Sequence, residues 1–394
     1  MDNSKKNNVP MSSPEINEED RQAVMEVLNT THLSMGPKID QFEQAVKELT
    51  GSRHALAVSS GTTGLHLCIR AAGIEQGDLV ITTPFSFISS TNVILFEKAI
   101  PVFVDVDPLT GNIAADQLKQ AIRDLNRGGK DASRWLPRNL PGKAGRLKAV
   151  LSVDVFGQPA DYDSLSPVCE EHGLTIIEDS CEALCATYKS KLAGKFGKYG
   201  VFAFYPNKQI TTGEGGIIIT DDDEDAAFMQ ALRNQGRAPG DAWLQHTYLG
   251  YNYRLDEMSA ALGLSQIKRL DHMLDSRAQV ADWYNRYLQE FPMIETPHVL
   301  PSTTRMSWFV YVIRLDKAVD RDEFARRLIA NDVPVRPYFL PIHLQPYIAE
   351  QFGYRKGDYP VTEALGEHGL ALPFSSVMSE AQVEQVCEGI RKSL

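Results

Sequence analysis

Residues 202–216 read Phe-Ala-Phe-Tyr-Pro-Asn-Lys-Gln-Ile-Thr-Thr-Gly-Glu-Gly-Gly, with Lys208 as the one cation among them. A lysine is seldom found in such apolar surroundings without a partner. Desolvation favours the free amine, the form that attacks an aldehyde. Glycines at 213, 215 and 216 let the chain turn tightly beside a flat ligand. A snorkelling lysine beside a loop is the plainer reading, but it leaves the glycine cluster without a purpose.

The same pattern of short apolar runs extends outward from this stretch. Runs at 54–59, 79–83, 101–106, 147–155, 174–178, 201–205 and 216–220 have the length and composition of strands buried on both faces. Between them, 63–72, 114–126 and 162–172 have helical period. The alternation predicts an α/β fold with a mainly parallel sheet flanked by helices. Two amphipathic helices are expected ahead of it, over 15–28 and 38–49, with a long helical region over 255–291 behind it. A strand over 306–315, a helix over 321–331, an extended segment at 335–339 and a closing helix over 380–392 predict a smaller α+β unit. The expected division is 1–255 for the large unit and 256–394 for the small one.

Two further segments of the large unit carry chemistry. Ser59-Ser60-Gly61-Thr62-Thr63-Gly64 joins a strand to a helix start, where free N–H groups and the helix dipole attract a phosphate. Ser and Thr there also serve as plain N-caps. Glu178-Asp179 falls at the carboxyl end of a buried strand, the edge at which open α/β sheets bind ligands. A carboxylate there needs a cation, and a protonated pyridine nitrogen would be one; an Asp capping the next turn is the alternative. Phosphate anchor, pyridinium partner and Schiff-base lysine, in that order, fit a fold-type I enzyme holding pyridoxal 5'-phosphate (PLP).

Composition limits the partners. A formal charge of −11 argues against nucleic acid, while leaving room for one pyrophosphate-bearing small molecule. No run approaches the ~18 apolar residues of a membrane span. The polar start, Met1 to Ser13, lacks a signal-peptide core. Five cysteines, with no His or Cys pair completing a site around Cys181 and Cys185, predict buried thiols in a cytoplasmic protein and no metal. The basic, Gly- and Pro-containing segment from Arg127 to Arg146 reads as a surface loop, with a flap over an anionic ligand as the sharper alternative.

The sequence resembles the DegT/DnrJ/EryC1/StrS family of sugar aminotransferases over nearly its whole length. The resemblance rests on Leu33-Ser-Met-Gly-Pro37, Ser60-Gly-Thr-Thr-Gly-Leu-His-Leu67, Pro101-Val-Phe-Val-Asp-Val-Asp107 and Glu178-Asp179. It continues in Lys208 with Thr212-Gly-Glu-Gly-Gly216, Gly250-Tyr-Asn-Tyr-Arg-Leu255 and Pro341-Ile-His-Leu-Gln-Pro346. It implies transfer of an amino group, from glutamate, to a nucleotide-linked keto-sugar. By position, it implies that Lys208 holds PLP and shuttles protons, and that Asp179 meets the pyridine nitrogen. It further implies that Thr62 and Thr63 hold the phosphate, that Phe87 stacks on the ring, and that Glu182 lies near the cofactor hydroxyl. Asn252 is expected to reach the phosphate of a neighbouring subunit, which makes the active unit a homodimer with shared sites; capping the helix after Tyr253 is the alternative.

Two departures from the family pattern stand next to the lysine. Many relatives have Ser five residues before it and His three before it; here these are Ala203 and Tyr205. The missing phosphate contact would come from elsewhere, with Ser60 as the candidate. Candidate substrate contacts are Tyr205, Arg336, Tyr338 and His343, with the 127–146 loop. A PLP-dependent sugar dehydratase and a PLP-binding regulatory protein without turnover are the rival readings. Relatives that act as dehydratases carry His at the lysine position, so Lys208 favours amino transfer.

Overall fold

The computed structural model describes residues 9–394, so the part of the polar start containing Lys5-Lys6 lies outside the described residues. All seven expected runs form strands: β1 (His54–Val58), β2 (Leu79–Thr82), β3 (Ile100–Phe103), β4 (Leu147–Val153), β5 (Thr175–Asp179), β6 (Tyr199–Ala203) and β7 (Gly216–Thr220). They make one sheet in the order β1-β7-β6-β5-β4-β2-β3, in which β7 alone runs antiparallel to its neighbours. Nearly every strand residue is buried, as expected of a sheet covered on both faces. The carboxyl ends of β1, β4, β5 and β6 therefore open on one edge.

Helix Gly61–Ala71 leaves β1 at that edge and packs across β6 and β7 through Leu65, Leu67 and Cys68. At the other face, helices Glu18–Leu28 and Pro37–Thr50 pack against Glu257–Ile267. The expected border at residue 255 thus precedes a helix whose contacts are with the large unit. The smaller unit is a three-stranded antiparallel sheet, Ile294–Glu295, Tyr311–Leu315 and Gly369–Leu372, covered by helices Leu270–Tyr287, Arg321–Ala330 and Glu380–Ser393.

Differences from the sequence reading have local causes. The run at 201–205 stops pairing at Ala203 because Pro206 follows and Lys208 N turns back to the Tyr205 carbonyl at 2.8 Å. Helices Ser89–Phe96, Asp223–Arg233, Pro346–Phe352 and Pro360–His368 lie outside the expected elements; three of these four are 9 residues or shorter, too short for periodicity to reveal, whereas Asp223–Arg233 has 11 and opens on three acidic residues. The segment 127–146 is a pinned connection. Trp135 Nε1 donates to Asp124 at 2.9 Å, Arg134 pairs with the same carboxylate, and Arg138 holds Asp358 through two bonds of 2.5 and 2.7 Å. None of its residues lines the cavity described below, and the Arg138–Asp358 bonds tie the segment to the turn at 353–358.

Candidate active site

The strand ends enclose a cavity of about 480 Å³. Its floor is built by three chain turns. After β1, Ser60 takes the N-cap position of helix Gly61–Ala71, accepting the Thr63 N–H at 3.1 Å while Thr63 Oγ1 accepts the Ser60 N–H at 3.0 Å. This reciprocal cap leaves the N–H groups of Gly61 and Thr62 without a carbonyl in the helix, at its positive end. Ser60 and Thr62 line the cavity, with Thr62 Oγ1 2.8 Å from Ser89 Oγ. The Thr63 hydroxyl instead serves the cap and bonds the Ser60 carbonyl at 2.8 Å, outside the lining. Of the two threonines expected as the anchor, Thr62 faces the cavity together with Ser60, while Thr63 holds Ser60 in place.

Asp179 ends β5 and lines the cavity while nearly wholly buried. Burial raises its carboxyl pKa; the Cys181 thiol and N–H, and the charge of Lys208, oppose that rise. The Cys181 N–H reaches Asp179 Oδ1 at 3.3 Å. Glu178, one residue earlier, faces the other side of the sheet. It accepts N–H groups from Gly194 (2.7 Å), Phe196 (2.5 Å) and Gly197, so it holds a loop rather than a ligand.

Lys208 enters from the turn after β6, with its side chain 11% exposed. Its Nζ stands 3.8 Å from the centre of the Phe309 ring and 3.6 Å from Glu182 Oε1. Gly213 has φ +83, the left-handed turn that returns the chain to β7. A Cβ on Gly216 would lie 2.6 to 2.7 Å from Ser60 C and Gly61 N, so the lysine loop and the anchor helix touch backbone to backbone. The small side chain of Ala203 sits against Gly61 in the same crevice.

Phe87, Tyr205 and Tyr338 also line the cavity, as does Glu182; Phe87 and Tyr205 are 62% and 52% exposed at its mouth. Two of the expected substrate contacts, His343 and Arg336, do not line it. His343 is fully buried and bonds Glu363 at 2.9 Å among Tyr354 and Tyr359; it is a packing residue in this chain, not a substrate contact. Arg336 is exposed, its guanidinium bonded to the Val335 carbonyl at 3.1 Å. Asn252 is exposed, away from the cavity of its own chain. Phe309 and Arg277 were missed in the sequence. Phe309 carries no signal, whereas Arg277 interrupts the apolar stripe Met273, Leu274, Val280, Ala281, Tyr284 of its helix.

The cavity fits PLP on its own chemistry. It offers an anion-binding helix start, a buried carboxylate lacking a cation other than the lysine, an aromatic ring at the mouth and one amine. An α/β sheet presenting these groups at the ends of β1, β5 and β6 defines the fold-type I class of PLP-dependent enzymes. The comparisons agree. The DegT/DnrJ/EryC1/StrS aminotransferase family matches over residues 14–391. The chain is 35% identical to the GDP-perosamine synthase of Caulobacter vibrioides over 390 residues, covering 98% of each. It is 31% identical to the putative pyridoxal phosphate-dependent aminotransferase EpsN of Bacillus subtilis, over 96% of this chain and 94% of that one. The crystal structure of a DegT DnrJ EryC1 StrS aminotransferase from Brucella abortus superposes with a TM-score of 0.84 at 29% identity, over 95% of this chain and 94% of the other. The chain belongs to the DegT/DnrJ/EryC1/StrS family of PLP-dependent aminotransferases.

Proposed function

We propose that this enzyme moves an amino group from glutamate to a keto-sugar carried on a nucleotide. The observation that supports it most is the placement of Lys208 in one cavity with the Asp179 carboxylate and the helix start at Ser60–Thr62, in a chain similar to a GDP-perosamine synthase. In this reading Asp179 faces the pyridine nitrogen of PLP, and Ser60, Thr62 and the N–H groups of Gly61 and Thr62 take its phosphate. Phe87 covers the ring, and Glu182 lies beside Lys208. When bound, PLP supplies the electron sink for the substrate's α-carbon. Lys208 Nζ removes the proton from that carbon as a general base. Glu182 and the Phe309 ring fix where the amine stands. Tyr205 and Tyr338, at the mouth, orient the sugar.

We propose a cytoplasmic homodimer in which Asn252 completes the partner's phosphate site. Its exposure away from its own cavity fits that role, as do the solvent-facing Trp243 and Leu249, 84% and 81% exposed. Retention of Lys208 disfavours the dehydratase reading. The test is direct. Purified protein with PLP and glutamate converts its cofactor to the pyridoxamine form, and one of a set of UDP-, GDP- and dTDP-keto-sugars is then aminated. No conversion by glutamate or any other amino acid overturns the proposal.

A further inference from the structure

Helix Leu270–Tyr287 buries an arginine at its centre: Arg277 is 1% exposed. Its Nη1 donates to the Trp308 and Phe309 carbonyls, both at 3.2 Å. Its Nη2 donates to the Lys208 carbonyl at 2.6 Å and the Asn207 carbonyl at 3.3 Å. All four partners are backbone oxygens. The carboxylate whose charge acts on it, Glu15, is itself joined to Arg269 at 2.7 Å. Burial lowers the guanidinium pKa to about 10, which leaves it protonated at neutral pH.

A buried cation without a buried carboxylate is costly, and a methionine or leucine would fill the same space without that cost. Neither could bind two loops at once with one rigid planar group. The two loops are also the two sides of the lysine. One carries Lys208, and the other carries the Phe309 ring 3.8 Å from its amine.

We propose that Arg277 is a positioning residue for amino transfer: its guanidinium fixes the Lys208 amine against the Phe309 ring, so that the amine meets the substrate's α-carbon in one geometry. The inference rests on the reading of Lys208 as the proton-moving amine. Arg277 lines no part of the cavity and acts through the backbone at 207–208 and 308–309.

The test compares PLP-loaded wild type, Arg277→Lys, Arg277→Ala and Phe309→Leu, following a single turnover with glutamate by the visible absorbance of the cofactor. Thermal unfolding is recorded in parallel. Arg277→Ala slows the turnover about 100-fold, the effect of a displacement of about 1 Å, with the half-saturating glutamate concentration little changed. Added guanidinium restores part of the rate at concentrations that leave unfolding unaltered. Arg277→Lys, unable to reach both loops, stays slow. Folded Arg277 variants that turn over at the wild-type rate overturn the proposal. So does a loss that follows the unfolded fraction and is not rescued by guanidinium. If the Arg277 variants do not fold, Phe309→Leu carries the test, since it keeps the backbone bonds and removes the ring; a wild-type rate there also overturns it. Absence of turnover in the wild type would instead overturn the proposed function.

Discussion

Glu182 stands between two ties: Oε1 lies 3.6 Å from the Lys208 amine, and Oε2 takes the Phe156 N–H at 2.9 Å. Phe156 has φ +57, so this carboxylate also holds a left-handed backbone residue at the end of β4. Burial raises the Glu182 pKa, and the charge of Lys208 opposes the rise. The two form a mostly buried ion pair in the wall of the cavity.

Glu182→Gln keeps an acceptor for Phe156 and removes the charge beside the lysine. The pair is 3.6 Å apart, too long for a hydrogen bond, so the variant tests where the amine stands; a misplacement approaching 1 Å costs up to about 100-fold in rate. The single-turnover rate with glutamate should fall about 10- to 100-fold while thermal stability stays close to wild type. An unchanged rate would show that the pairing is incidental.

Lys208→Ala should abolish covalent capture of PLP while leaving the Asp179 and Ser60–Thr62 contacts in place. Borohydride reduction followed by peptide mass analysis should find the cofactor on the peptide bearing residue 208 in wild type and nowhere in the variant. Turnover should drop by about 10² to 10⁴, the usual range for loss of a positioned acid–base group. Label on another lysine in the wild type contradicts the assignment.

His343 links the fold to pH. Burial lowers its imidazole pKa from 6.5, against the pull of Glu363. The unfolded chain therefore gains the proton first, and the stability contributed by neutral His343 is complete above about pH 6.5 and lost as pH falls below it. The slope is at most about 1.4 kcal/mol per pH unit. Below about pH 6.5 the urea unfolding midpoint of wild type should fall relative to that of His343→Gln, since the buried carboxyls Asp154 and Glu178, whose raised pKa values act in the opposite sense, are common to both. His66, buried against Glu97 at 2.8 Å, shifts in the same direction. An identical decline in the variant would pass the effect to His66 and refute the prediction for His343.

Glu257 caps a helix that cannot cap itself. Helix Pro37–Thr50 has Gly36 at its N-cap with no side-chain acceptor, and Glu257 takes the N–H groups of Gly36 (3.1 Å), Lys38 (2.9 Å) and Ile39 (3.1 Å). Glu257→Ala should cost about 2 kcal/mol, at the upper end for a lost cap, read as a lower unfolding midpoint. Loss below about 0.5 kcal/mol would mean that water replaces the carboxylate.

What was legible in the sequence follows from range. The seven strands are apolar over their own length, so each could be read locally. Lys208, Asp179 and Ser60 lie at the ends of such runs, and the sheet edge brings them together without further information. Phe309 and Arg277 reach Lys208 from a distant part of the chain, and no spacing rule connects them. His343 was drawn toward the site by its neighbours in a recognisable segment, yet it packs against Glu363 and away from the cavity. Thr63 illustrates a competition at short range: a hydroxyl three residues into a helix can serve a ligand or its own cap, and here the cap takes it.

The contact of Gly216 with Ser60 and Gly61 has a consequence for how such an enzyme can diversify. The spacing between the loop that carries the lysine and the helix start at Ser60–Gly61 is set by main chain against main chain. The aromatic side chains at the rim that face the sugar, Tyr205 and Tyr338, can therefore be exchanged to admit differently shaped sugars without moving that backbone contact. The ruler and the gate are separate parts, and only the gate needs to change with the substrate.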